Sequence, residues 1–251
     1  MSKRVLLAGE SWTSFGIHTK GMTSYETATY EEGAEQLIAV LRAEGAEVTY
    51  MPNHRVVEGF PYDVDELASS YDVIILSDVP ADSFLLPHAV FVGGERRPNR
   101  LAVISEFVRR GGGLIMVGGY MSFSGYEGRA RFGLTPLAEI LPVSMMTGDD
   151  RLELPEGVVP TVVSGHEIVT GLPEQWPYFL GYNKFEAKPG STVVMSANDD
   201  PFLVVDTIES GRVVAFASDC SPHWGSPAFM EWGSYSSFWN QMVDWAAGDA
   251  A

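Results

Sequence analysis

Cysteine is nearly absent from this sequence, because only Cys220 among the 251 residues carries a thiol. A single cysteine cannot form an intrachain disulfide or build a cysteine-based metal cluster. The five histidines show no ligand spacing to one another, so the sequence does not favour a metal centre and we expect no cofactor. A chain without disulfides suits a reducing compartment, and we expect it in the cytoplasm.

Basic residues are also scarce. The chain has 16 lysines and arginines against 33 acidic residues, which gives a formal net charge of −17. A nucleic-acid-binding protein needs a basic stripe that neutralises phosphates, so this composition argues against such a partner. It also disfavours a highly anionic substrate, unless a local arginine pocket exists.

Long apolar runs are missing as well. No run approaches the roughly 20 residues that a membrane-spanning helix needs. The apolar run near the N-terminus ends at Ala8, too early for the hydrophobic region of a signal peptide, so it is expected to be a strand. These features predict no membrane partner.

What the sequence does contain is an alternation of short apolar runs and helical patterns. Strands are expected at residues 3–8, 47–51, 72–76 and 114–119, and helices at 31–45, 63–70 and 100–110. Asp63 and Asn99 are expected to cap the second and third of these helices. Short connections between fully apolar strands predict an α/β fold, with a parallel sheet and helices on both sides.

The second half is less regular and richer in β-structure. Strands are expected at residues 158–163 and 192–197, a hairpin at 202–206 and 212–218, and helices at 134–141 and 236–247. No repeat, low-complexity segment or linker interrupts the chain. We therefore expect residues 1–251 to form one domain.

In a parallel sheet, ligands bind at the carboxyl ends of the strands. The residues expected there include Glu10 and Trp12 after the first strand and Asp78 after the third. Burial would raise the pKa of Glu10 or Asp78 and make either a candidate acid or base. The alternative is that Glu10 only accepts hydrogen bonds from loop N–H groups.

Four short segments, together with the glycine-bounded strand at 114–119, carry a resemblance to a known family. The chain resembles the class I glutamine amidotransferase-like superfamily, and within it the uncharacterised amidotransferase-like cytoplasmic proteins that lack the cysteine nucleophile. The resemblance implies a flavodoxin-like three-layer sandwich. The four segments are GGYMSFSG (118–125), GDDR (148–151), LGYNK (180–184) and SDCSPHW (218–224).

In active members of the superfamily, a cysteine occupies the turn after the glycine-bounded strand, here called the elbow, and a His-Pro-Glu segment follows a late strand. The elbow position corresponds here to Gly119 or Tyr120, neither of which can accept an acyl group. The late histidine corresponds to His223, but Trp224 and Gly225 follow it in place of Pro-Glu. The resemblance therefore implies that glutaminase chemistry by the usual route is lost.

Two other nucleophiles remain open at this stage. Ser122 could act with His223 as base and Asp219 as orienting acid, although the strained Gly-x-Ser-x-Gly turn is missing. The alternative is that Ser122 caps a turn beginning at Phe123. Cys220 could be a displaced nucleophile, but a buried and inert cysteine is the more common arrangement.

The remaining candidates point to ligand binding. Arg151 could hold a carboxylate from its turn, and the aromatic side chains could form a stacking wall. We therefore expect a self-associating protein that binds a small polar metabolite in the crevice, and the alternative is a hydrolase of altered mechanism that uses Ser122. The candidate binding residues are Glu10, Trp12, Gly119, Tyr120, Arg151, Tyr182, Asn183 and Trp224.

Overall fold

The structure, a computed structural model, describes residues 2–248. Its strands are β1 (Arg4–Gly9), β2 (Ser11–Lys20), β3 (Thr23–Glu32), β4 (Glu47–Met51), β5 (Val73–Ser77), β6 (Gly113–Val117), β7 (Val143–Met145), β8 (Arg151–Val158), β9 (Thr161–Val162), β10 (Phe179–Asn183), β11 (Phe185–Ala187), β12 (Thr192–Ala197), β13 (Asp200–Ile208) and β14 (Gly211–Phe216).

The central sheet has eight strands in the order β4-β1-β5-β6-β14-β13-β12-β9. The first five run parallel to one another, and the last three join antiparallel. The order of the parallel strands is that of flavodoxin-like folds. These features confirm the expected α/β class, the mainly parallel sheet and the β-rich second half. The second half also contains two small antiparallel pairs, β10 with β8 and β11 with β7.

Helices cover both faces of this sheet. They are α1 (Glu35–Ala43), α2 (Asn53–Gly59), α3 (Val64–Ser70), α4 (Asp82–Leu85), α5 (His88–Phe91), α6 (Arg100–Arg109), α7 (Leu137–Ile140), α8 (Pro227–Met230) and α9 (Tyr235–Ala246). One group pairs α1 with α9, and the other brings α3 against α6 and α2 against α4. β5 and β6 are buried along their whole length, which explains why their sequences are continuously apolar.

Both predicted helix caps are present. The Asp63 carboxylate accepts hydrogen bonds from the first backbone N–H groups of α3, and Asn99 does the same for α6. These bonds satisfy donors that have no partner inside a helix. The caps fix where each helix begins, and thereby the direction in which the preceding loop leaves the sheet edge.

The segment after the first strand differs from the expectation. Residues 11–32 form a long antiparallel hairpin of β2 and β3, which the helix and loop predictions missed. Glu31 and Glu32 end a strand, and α1 begins only at Glu35. The run Glu31–Glu32 resembled an acidic first helical turn, but the preceding threonines and tyrosines favour a strand.

The second half needs one further correction. Tyr182 and Asn183 fall outside the strands expected from the sequence, yet both lie in β10, and their side chains are fully buried. The predicted hairpin near residue 210 is confirmed as β13 and β14. Among the helices of residues 2–248, none is both long and apolar enough to cross a bilayer.

Candidate functional site

A crevice of about 530 Å³ lies at the carboxyl ends of β1, β5, β6 and β14. In a flavodoxin-like sheet the ligand site is where the strand order reverses. This point lies between the parallel strands that come first and third along the chain, here β1 and β5. The loops after β1 and β5 form that part of the wall. The residues that line the crevice are Glu10, Trp12, Asp78, Tyr120, Met121, Asp219, Ser221, Pro222 and His223.

Glu10 is the acid that follows β1. Its backbone is held in a left-handed conformation (φ 50°), and its side chain is buried. The carboxylate accepts hydrogen bonds from the hydroxyls of Ser77 and Ser221, rather than from the loop N–H groups considered above. Burial, and then the charge of Asp78, raise the pKa of Glu10 from 4.5 to about 7.

Asp219 is the acid that follows β14. Its carboxylate accepts the backbone N–H of Ser221 at 3.0 Å, and the Ser221 hydroxyl lies 3.2 Å from it. That hydroxyl therefore stands between Asp219 and Glu10. Burial raises the pKa of Asp219 well above its ordinary value, and the charges of Glu10 and Asp78 add to this effect.

Asp78 is the acid that follows β5, and it faces the elbow. Its carboxylate accepts the backbone N–H of Met121 at 2.6 Å, and it also accepts that of Tyr120. Its own N–H donates to the Ser122 hydroxyl across 3.1 Å. The pKa of Asp78 is raised by burial, although the elbow N–H groups and His223 act in the opposite direction.

Three carboxyl groups with raised pKa values therefore surround one small crevice. Such groups accept hydrogen bonds when ionised and donate them when protonated. Glu10, whose pKa is raised to about 7, can also exchange a proton near neutral pH. Their mutual repulsion falls when a positive charge arrives between them. Backbone strain at Glu10, Asp78 (φ 44°) and His223 (φ 131°) is concentrated at the same place, which is typical of functional sites.

Three side chains beside the crevice also have the atom types that bind metal ions. The ligand atoms of Glu10, Asp219 and Cys220 all lie within 4.8 Å of one another. All three groups have raised pKa values and are hydrogen-bonded within the wall. A metal ion there would have to displace protons and hydrogen bonds, so the geometry alone does not favour one.

The elbow itself is clamped from behind by Asn183. The side-chain amide of Asn183 accepts the N–H of Gly119 at 2.9 Å and donates to the Gly119 carbonyl at 3.1 Å. It also donates to Asp150, which in turn accepts the N–H groups of Ser124 and Gly125. Asn183 and Asp150 thus set the position of the elbow from inside the protein.

Glycine is required at the elbow. Gly119 has φ 148°, and a Cβ placed there would lie 2.9 Å from the Asp78 carboxylate. The Asp78 side chain therefore contacts the elbow on the crevice side, and the Asn183 side chain contacts it on the inner side. A side chain at position 119 would therefore begin against the Asp78 carboxylate, in a backbone conformation that favours glycine.

Tyr120 forms the aromatic wall of the crevice. The Arg151 guanidinium lies 4.3 Å from its ring centre, and the Tyr120 hydroxyl donates to Glu153 at 2.8 Å. Glu153 also accepts the indole N–H of Trp224 at 3.0 Å. Arg151 therefore supports the wall and pairs with Asp149 rather than lining the crevice.

Besides Asn183, two further candidate binding residues lie inside the protein. Trp224 is fully buried against Tyr120 and is not part of the exposed wall that was expected. The Tyr182 hydroxyl donates to Asp200 at 2.8 Å, and its ring is likewise fully buried. Trp12, in contrast, lines the crevice at the base of the hairpin.

The three residues of the suggested serine triad are not joined. The Ser122 hydroxyl is buried and accepts the N–H of Asp78, so the expected turn cap is absent too. His223 lies 4.0 Å from the Glu153 carboxylate and edge-on to Tyr120. Within the described residues, no hydrogen bond connects His223 to Ser122 or to Asp219.

Cys220 is buried behind the carboxyl groups of Glu10 and Asp219. Its side chain is buried, and its Sγ lies 3.5 Å from the Ser77 hydroxyl and 3.7 Å from the Glu10 carboxylate. Burial, followed by the charges of Glu10 and Asp219, raises the pKa of the thiol well above its ordinary value. This environment suppresses the thiolate that nucleophilic catalysis needs.

Sequence reasoning missed several residues that organise the site. Glu153 and Asp150 act through contacts with residues far away in the chain, which their local sequence does not reveal. A usable signal existed only for Ser221, because it is two residues beyond Asp219 after a predicted strand. Short polar residues at that spacing commonly bond back to the preceding acid.

Comparison with known proteins agrees with the fold. A family described as "Putative glutamine amidotransferase" matches residues 4–248. The cytoplasmic protein STM3548 of Salmonella typhimurium is 45% identical, with a TM-score of 0.93 over 96% of this chain and 98% of that protein. The cytoplasmic protein STM1381 from the same organism is 44% identical, with a TM-score of 0.93 over 97% of this chain and 99% of that one.

A more distant match shows the fold alone. A ThuA-like protein of Parabacteroides merdae is 12% identical, with a TM-score of 0.55 over 98% of this chain and 90% of that protein. No protein with a curated description of function matches the chain. From the family match and the two close structural relatives, the chain belongs to the glutamine amidotransferase-like family.

Proposed function

We propose that this protein binds a small, polar, ring-bearing metabolite that carries a basic group, and that it does not hydrolyse glutamine through a thiol. The observation that carries the proposal is the convergence of Glu10, Asp78 and Asp219 on one crevice. The names of the two Salmonella relatives support a cytoplasmic location.

The charge of the wall selects for a cation. Each of the three carboxyl groups is protonated more readily than usual, because burial and its neighbours oppose ionisation. An ammonium or guanidinium group would replace those protons and relieve the repulsion between the acids. A carboxylate or phosphate ligand would add to that repulsion, which disfavours anionic metabolites.

The aromatic walls select for a ring. Trp12 and Tyr120 both line the crevice. Aromatic faces bind flat or ring-shaped groups and also attract cations. Arg151 fixes the Tyr120 ring in place from its other side, so the wall is already formed before a ligand arrives.

The alternative hydrolase has no comparable support. Its serine is engaged with Asp78, and its base is turned toward Glu153. General acid-base chemistry needs a base within about 3 Å of the reacting hydroxyl, or one water away. Binding is therefore the function that the geometry favours.

A thermal-shift screen with charge-matched triples tests the proposal. One triple is glucosamine, glucose and glucuronate, and further triples pair other ring amines with their neutral and acidic analogues. We expect the basic members to raise the melting temperature most and the acidic members least, with the effect lost in Asp78→Asn. Stabilisation by acidic members, or by no basic member, would contradict the proposal.

A further inference from the structure

The hairpin of β2 and β3, here called the arm (residues 11–32), extends away from the rest of the protein. Except at Ser11 and Gly16, every residue in its two strands is exposed. Its base contacts the body, where Asn53 donates hydrogen bonds to Ser11 and Tyr30 packs edge-on against His54. Ten residues per strand give the arm a length of about 34 Å.

Such an arm is not self-sufficient. A two-stranded hairpin is marginally stable in water on its own, and both of its edges present unpaired backbone groups. Its apolar side chains are also uncovered: Phe15 is 79% exposed, Ile17 77% and Met22 fully. Phe15 and Ile17 lie on the same face, because they are two residues apart in one strand. The arm therefore has the character of an unoccupied interface.

The charges along the arm run from basic at the tip to acidic at the base. Lys20 is the only charged residue between Ser11 and Met22, and it stands at the turn. On the returning strand, Glu26 lies opposite Ile17, and Glu31 and Glu32 stand at the base. A surface of this kind is complementary to a second copy of itself placed in the opposite direction.

A groove at the base of the arm matches the tip. It measures about 670 Å³ and combines three glutamates with an apolar floor. The tip presents one lysine and one methionine, Lys20 and Met22, on either side of Gly21. The residues that form the groove are Trp12, Glu31, Glu32, Gly33, Glu35, Gln36, Ala39, Pro222 and Met230.

We propose that two copies of this chain form a twofold dimer by exchanging arms, with the tip of each arm seated in the groove of the other subunit. In this arrangement the partner subunit's Lys20 faces Glu31 and Glu32, and the partner subunit's Met22 packs on the apolar floor. A twofold interface requires a patch that is complementary to itself, and the arm with its groove meets that requirement. The inference does not depend on the proposed ligand.

The dimer also borders the crevice. Trp12 and Pro222 line both the groove and the crevice, so the arm tip of the partner completes one side of the shared rim. Arm exchange and ligand access are therefore adjacent in space, although each can be measured separately.

Sedimentation equilibrium of the full chain tests the proposal. We expect a dimer for the wild type. Lys20→Glu should weaken it about tenfold, and adding Glu32→Lys should restore it. The double variant Phe15→Ser, Ile17→Ser should weaken the dimer about 100-fold or more, because two apolar side chains are removed from the contact between the subunits. Arg96→Glu and Leu134→Ser, which change exposed residues elsewhere, are the matched controls and should have no effect.

Disulfide trapping gives a readout that does not depend on the stability of the arm. Met22 lies at the tip of the arm and Ala39 lies on α1 in the groove at its base, so cysteines at these two positions are too far apart to be bridged within one chain. Under oxidation the double variant should form a covalent dimer, whereas Met22→Cys with Leu134→Cys should not. A monomeric wild type, a dimer equally strong in every arm variant, or no cross-link at position 39 would each overturn the proposal.

Discussion

The Asp78 carboxylate accepts the backbone N–H of Met121 across 2.6 Å, so an acid already occupies the elbow. In acyl transfer, backbone N–H groups at such a turn stabilise the oxyanion that forms during attack. Here those donors are already bonded to the Asp78 carboxylate. A second anion beside Asp78 would be repelled, and Asp78 therefore disfavours acyl transfer independently of the missing cysteine.

The first prediction concerns the elbow glycine. Gly119→Ala should lower the free energy of unfolding by about 2–3 kcal/mol, because the new Cβ meets Asp78 and φ is positive. Urea unfolding monitored by tryptophan fluorescence measures this. Gly148→Ala is the matched control, since open space surrounds Gly148 and stability should be unchanged or slightly higher. Equal effects of the two substitutions would show that the elbow is not constrained.

The second prediction concerns the clamp behind the elbow. Asn183→Ala should cost about 2–4 kcal/mol, because it leaves buried groups of Gly119 and Asp150 without partners. Asn240→Ala, on a partly buried face of α9, removes comparable hydrogen bonds but should cost about 1 kcal/mol. Thermal denaturation of both variants gives the comparison, and a cost at Asn183 no greater than at Asn240 would count against the clamp.

The contacts of Asn183 also show which part of the structure could not be predicted from the sequence. The strands of the parallel sheet, the caps at Asp63 and Asn99, and the positions of Glu10 and Asp78 at strand ends all follow from local pattern. The arm was missed because its serines and threonines lack a clear apolar alternation, although Lys20–Gly21 is a usable turn signal. The Asn183–Asp150 contact joins residues that are 33 positions apart, and no local rule brings them together.

The third prediction concerns pH. The pKa of Glu10 is raised from 4.5 to about 7 on folding, so the folded state binds the proton more tightly than the unfolded state does. The stability from this group is complete below pH 4.5 and is lost as the pH rises through 7, a change of about 3 kcal/mol. Glu10→Gln should remove this part of the pH dependence and be relatively more stable at pH 8.

Thermal denaturation between pH 4 and pH 8 measures this difference. Glu44→Gln serves as the control, because Glu44 is exposed at the end of α1 and should leave the pH dependence intact. If the wild type and Glu10→Gln lost stability in parallel over this range, Glu10 would not be the group that titrates.

The fourth prediction concerns the thiol. Because Cys220 is buried and its pKa is raised, a disulfide reagent such as dithionitrobenzoate should label it in the folded protein orders of magnitude more slowly than in denaturant. Absorbance of the released thiolate follows the reaction. Labelling of the native protein as fast as that of the denatured chain would place Cys220 in contact with solvent and reopen its role as a nucleophile.

Release of ammonia from glutamine tests most directly the claim that the elbow holds no acyl-accepting group. A coupled assay would compare the purified wild type with Cys220→Ser and with buffer alone. We expect all three rates to coincide. Turnover by the wild type at an enzymatic rate would contradict the account, and loss of that turnover in Cys220→Ser would identify the thiol as its source.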